Sequence, residues 1–224
     1  MPETTSGARS STMQLILVPS IITLAITVLR LVGELQHWPK LLFSPSAGGG
    51  GAIVGISWLP FIFGPYFAVK LIGSGEGPSS KGKVIGFVVL GFVLMVLGGI
   101  LTAAPKLQFP GKTIVGLVIM AVAGLLPWSG WPALFKTLLA YAYAARIPVA
   151  IIMYFAISGT WGTHYDALPP NYNGPAELWP KYALIGLAPQ LIVWPAFTTI
   201  VGSLFGGIAA AIVRRDKPTV QTAA

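Results

Sequence analysis

The sequence predicts an all-α fold: a polytopic transmembrane helical bundle of about six spans, with several proline kinks. Three observations predict it. Of the 224 residues 54% are hydrophobic and only 9% charged, with a mean hydropathy of +0.77, whereas a soluble domain carries about 25% charged residues. Apolar runs of roughly 17–25 residues recur along the chain, the length a ~30 Å hydrocarbon core requires. The six acids, Glu3, Glu34, Glu76, Asp166, Glu177 and Asp216, all read as lying outside those runs. Lipid is therefore the expected solvent over most of the exterior.

The first span is drawn at 13–32, after a polar lead that reads as a cytoplasmic tail (1–12). It exceeds the 7–15 apolar residues of a cleavable signal core and no small-x-small site follows directly, so it is expected to be retained. The remaining spans are drawn at 52–72, 84–104, 113–129, 133–158 and 182–213, giving one transmembrane domain over 13–213 and a basic cytoplasmic tail at 214–224. Between the fourth and fifth, the segment from Pro127 to Pro132 must turn tightly, and Trp128 and Trp131 suit a membrane interface. The last run is longer than a crossing needs, so it is expected to tilt or to kink at Pro189 or Pro195. Pro60, Pro65 and Pro148 predict further kinks, each freeing a backbone carbonyl.

The net charge of +8 comes from 14 Lys and Arg against six acids. In a soluble protein that balance suggests nucleic acid. Here the cations are scattered at span ends and in short loops, as topology determinants are, so no nucleic-acid partner is expected. Six crossings put Arg9, Lys70, Lys81, Lys83, Lys136, Arg214, Arg215 and Lys217 on one side, against Arg30, Lys40, Lys106, Lys112 and Lys181 on the other. The positive-inside rule then places both termini in the cytoplasm, and a bacterial inner membrane is the expected location. Cysteine is absent, which excludes disulfides, thiolate metal sites and cysteine nucleophiles.

Arg146 is the sharpest candidate for a ligand contact. It sits near the centre of the fifth apolar run, two residues before Pro148, with no carboxylate in any run to pair with it. A guanidinium at that depth costs roughly 2.5–3.5 kcal/mol on insertion scales and should face protein, water or a ligand. Helical geometry points it back toward Tyr143 and the carbonyls near the proline break. Two roles follow: a brace for the kink, or a site for an anionic solute or lipid phosphate formed by Arg146 and Tyr143.

The only two histidines, His37 and His164, fall on the predicted outer side with Glu34, Asp166 and Glu177. Glu34 and His37 are spaced i, i+3, a spacing used in carboxylate-bridged metal sites, and His164 with Asp166 supplies further ligand types. Two readings follow: solvated loop residues, which rank first, or a divalent metal or acid/base centre at Glu34, His37, His164 and Asp166. Gly202, Gly206 and Ala210 form a smooth stripe suited to close helix packing, in the bundle or against a partner helix. The P-loop, dinucleotide, HExxH, GxSxG and CxxC patterns are all missing. A small carrier or ligand-binding protein for an anionic or polar solute or lipid headgroup ranks first. A non-catalytic subunit or assembly factor ranks second, and a membrane enzyme with an outer-side His/carboxylate site third.

Overall fold

The computed structural model describes residues 11–104, 107, 109–170 and 172–213. The predicted tails lie outside the described residues except for Ser11 and Thr12, which cap and open the first helix. Arg9, Lys106, Arg214, Arg215 and Lys217, counted in the charge balance, also lie outside them.

Among the described residues the chain is helical, with no strand. Helix α1 spans Thr12–Leu35, α2 Pro60–Gly73, α3 Lys81–Ala103, α4 Lys112–Gly130, α5 Pro132–Gly159 and α6 Leu178–Val213. All but α2 are long and apolar enough to cross a membrane. Their outer faces agree: Leu17, Ile21, Val28, Val89, Phe92, Val96 and Ile151 are all exposed. An apolar exterior of this kind is consistent with a membrane-spanning bundle.

The second predicted span needs correcting. Of 52–72, only the part from Pro60 onward is helical; α2 has 14 residues and is about 21 Å long. The chain before it is irregular because Gly48, Gly49 and Gly51 all adopt positive φ, left-handed backbone that breaks any helix. Pro60 makes no kink, since it occupies the first turn, where its missing N–H costs nothing. Of the two tryptophans in the turn, Trp131 is not half wet. Its ring is buried and its Nε1 donates to the Glu76 carbonyl at 2.7 Å, while Trp128 is the exposed one.

Helix α6 packs on α2 and α5, α1 lies against α5, and α3 pairs with α4. The core runs through Phe67, Leu134, Leu138, Tyr141 and Ile200. The small-residue stripe packs inside this bundle: a Cβ on Gly64 would stand 2.4 Å from the Gly202 carbonyl oxygen, and one on Gly206 2.8 Å from Leu134. Gly202, Gly206 and Ala210 are thereby covered by the chain's own helices.

Two features position the site, the backbone of α6 and the loop before it. The α6 backbone slips into π-helical turns at Ala183–Leu187 and Pro189–Val193, on either side of Ala188. Wide turns of this kind let a proline sit mid-helix and re-aim neighbouring side chains. The loop between α5 and α6 tucks partly into the bundle. Thr163 and Tyr165 are buried, and the Tyr165 hydroxyl donates to the Thr27 carbonyl of α1 at 3.2 Å.

Candidate functional site

Arg30 and Glu34 lie one helical turn apart near the end of α1, both buried, with Arg30 Nε donating to Glu34 Oε1 at 2.8 Å. Glu34 is therefore inside the first apolar helix rather than beyond it. Arg30 likewise belongs to the interior, not to the loop charges that set topology. Its Nη2 donates to the carbonyls of Ser44 and Gly49, both at 3.1 Å. Its Nη1 makes no hydrogen bond among the described residues. A Cβ on Gly55 would stand 3.0 Å from Nη1, so the missing side chain there leaves the guanidinium room.

The second oxygen of Glu34 reaches the loop before α6. The His164 backbone N–H donates to Glu34 Oε2 at 2.8 Å, and His164 Nδ1 lies 2.7 and 2.8 Å from the two carboxylate oxygens. Burial, aided by the Arg30 charge, holds the imidazole below its usual pKa, against the pull of the Glu34 hydrogen bond. A neutral ring that donates from Nδ1 to a carboxylate keeps its lone pair on Nε2. Tyr165 lies beside it, the ring centroids 3.8 Å apart and the rings tilted by 42°. Burial pushes the Tyr165 phenol up, while the nearby guanidiniums of Arg30 and Arg146 pull the other way.

Arg146 is buried in the middle of α5 and does not turn toward Tyr143. Its guanidinium lies over the Trp194 ring, 4.3 Å from the centroid, and Nη1 donates to Gln190 Oε1 at 3.4 Å. Gln190 comes from the second π turn of α6 and is oriented by its Nε2, which donates to Met153 Sδ at 3.4 Å. Of five guanidinium N–H donors, Arg146 commits one among the described residues. Tyr143 faces elsewhere: its hydroxyl donates to the Leu191 carbonyl at 3.3 Å, and its ring lines a separate apolar cavity of about 240 Å³.

Arg30, Arg146, His164, Tyr165, Gln190 and Trp194 all line one cavity of about 340 Å³. Its remaining wall is largely apolar, with Ile26, Ile56, Val149, Met153 and Ile185. Glu34 balances one of the two positive charges from behind Arg30 rather than from the cavity wall. Arg146 has no carboxylate within salt-bridge reach among the described residues. A cavity with two guanidiniums, spare donors and an excess of positive charge suits an oxyanion, which accepts several charge-assisted hydrogen bonds at once.

Of the four expected metal ligands, Glu34 and His164 meet and the other two do not join them. Helix α1 ends at Leu35, and His37 turns away in a left-handed conformation (φ 53°), exposed, so the i, i+3 face it was to share with Glu34 is never formed. Asp166 bonds within its own loop, accepting from the Gly162 and Thr163 N–H groups and the Thr163 hydroxyl. Among the described residues no group of three or more His, Asp or Glu is placed to hold a metal ion. The Arg30 guanidinium, bonded to Glu34, also disfavours a second cation there.

Comparison with protein-family models, curated proteins and solved structures gave no match for this chain.

Proposed function

We propose that the protein is an integral membrane protein that binds an anionic solute or lipid headgroup between Arg30 and Arg146, as a small carrier or ligand-binding protein. The observation that carries this reading is two buried guanidiniums with uncommitted donors lining a single cavity. An unpaired buried charge is costly and is retained where something pairs with it. In this reading α2 and the irregular segment before it together make the second of six crossings, both termini are cytoplasmic, and the loops around Gly49 and His164 cover the cavity at its outer end. The proline and π turns in α6 disturb its regular hydrogen bonding beside the cavity, and transporter sites use irregular helices next to their substrates.

The test is a thermal-shift screen of the purified protein against inorganic and organic anions, run in parallel on Arg146→Ala. At least one anion should raise the melting temperature of the wild type by several degrees and leave the variant unmoved. No shift with any anion, or a shift retained in Arg146→Ala, refutes the proposal.

A second reading, a membrane enzyme, draws on the Glu34–His164 pair, because a carboxylate that orients an imidazole is the usual support of a general base. Lipid ester cleavage in nanodiscs, present in the wild type and lost in His164→Asn, would favour it. Unchanged lipids by mass spectrometry would count against it.

A further inference from the structure

The geometry points to a narrower ligand class, resting on the anion-binding reading above: a tetrahedral oxyanion that carries a proton, such as hydrogen phosphate or a singly protonated phosphate monoester. The two guanidiniums answer only the acceptor oxygens of a ligand. His164 adds what they lack. With Nδ1 held by Glu34 and no partner for Nε2 among the described residues, the neutral ring offers the cavity an acceptor. Glu34, Arg30, Asp166 and Tyr165 are the charged or titratable groups that face the imidazole. Arg30 with burial opposes its protonation, while Glu34 and Asp166 favour it. An anion with an O–H satisfies Nε2, whereas a fully deprotonated one sets its own lone pairs against it. Buried hydrogen-bonding groups left unpaired in this way are the strongest basis for discrimination between ligands of equal shape.

The ligand has two possible sources with this shared chemistry, a free anion or a lipid monoester. The apolar wall of Ile26, Ile56, Val149 and Met153 leaves room for either. Leu184 and Pro189 also line a neighbouring cavity of about 770 Å³, so a chain attached to the headgroup has somewhere to go.

The experiment is titration of the purified wild-type protein at pH 7.5 with phosphate, arsenate, sulfate and molybdate. All four are tetrahedral dianions, but only the first two carry a proton at that pH. Phosphate and arsenate should bind about ten-fold or more tightly than sulfate and molybdate. Nanodiscs containing phosphatidic acid, a monoester that can hold a proton on its phosphate, are compared at pH 6 and 7.5 with phosphatidylglycerol, a diester that cannot. Preference for phosphatidic acid without binding of free phosphate supports the inference with the lipid as source. Preference for phosphate and arsenate with neither lipid bound supports it with the free anion as source. Equal or tighter binding of sulfate and molybdate, or measurable and equal binding of the two lipids, overturns it and leaves the anion-binding reading standing. Binding of none of these probes overturns both. The His164→Asn variant keeps a donor toward Glu34 and removes the second ring nitrogen. Phosphate affinity falling to the sulfate level there assigns the acceptor to His164, and an unchanged preference overturns that assignment. Should the variant fail to fold, the wild-type comparison decides by itself.

Discussion

Glu34 and His164, 130 positions apart in the chain, share three short contacts: one from a backbone N–H and two from the imidazole to the same buried carboxylate. Because Arg30 also holds that carboxylate, a single acid ties the end of α1 to the loop that precedes α6. Removing it should be expensive. Glu34→Ala leaves Arg30 buried without a counter-charge and His164 without its anchor. Breaking a buried pair from one side costs about 3–5 kcal/mol. The melting temperature in detergent should drop by well over five degrees, while Glu34→Gln, which keeps a hydrogen-bond acceptor, should lose less. A variant as stable as the wild type would show the pair to be ornamental.

Acidity should weaken the same tie. The folded state holds His164 below the ordinary imidazole value of about 6.5, so the unfolded chain binds protons first as pH falls. Its contribution to stability is therefore level above about pH 6.5, declines as pH falls toward the lower folded value, and levels off beneath it. Melting curves from pH 7.5 to 5 should show this decline, and it should be blunted in His164→Asn. A protein that becomes more stable over that interval would contradict the neutral imidazole.

Arg146 separates a brace from a binding site. It makes one long hydrogen bond and one stacking contact and has no carboxylate partner among the described residues. If it serves a ligand, Arg146→Ala should leave the ligand-free protein as stable as before or slightly more so, since a buried uncompensated charge is removed. Anion-induced stabilisation should vanish, and Arg146→Lys should restore it only in part because an ammonium lacks the planar fork. A large loss of stability without ligand would make it a brace.

Glycines in the bundle should divide by their surroundings. A Cβ on Gly64 meets the backbone of Gly202, which has no rotamer to give way, so Gly64→Ala should force α2 from α6 and cost about 1–3 kcal/mol. At Gly86 and Gly99, where a Cβ meets nothing within 4 Å, alanine should be tolerated without loss. Equal melting temperatures for all three variants would place the α2–α6 crossing elsewhere.

Hydropathy made the long helices legible, because span length and apolar composition are local properties. It overstated α2: residues 52–59 are apolar enough for a span, but the glycines before them and Pro60 after them fix irregular backbone instead. Arg146 was legible as a charge out of place, yet its partners were not. Gln190 and Trp194 sit in an ordinary apolar run, and only the π turns of α6 aim them at the guanidinium. Arg30 and Glu34 carried a signal that went unread, a cation and an anion at i, i+4 at the end of an apolar helix. The approach of His164 to Glu34 could not be read from spacing, since it is made by a loop folding back across the bundle.

The most direct measurement of the central claim is a density map of the protein prepared in millimolar phosphate. Anion density within hydrogen-bonding distance of both Arg30 and Arg146 is the expected result. A cavity filled by an acyl chain, or two guanidiniums turned away from each other with no density between them, would contradict it.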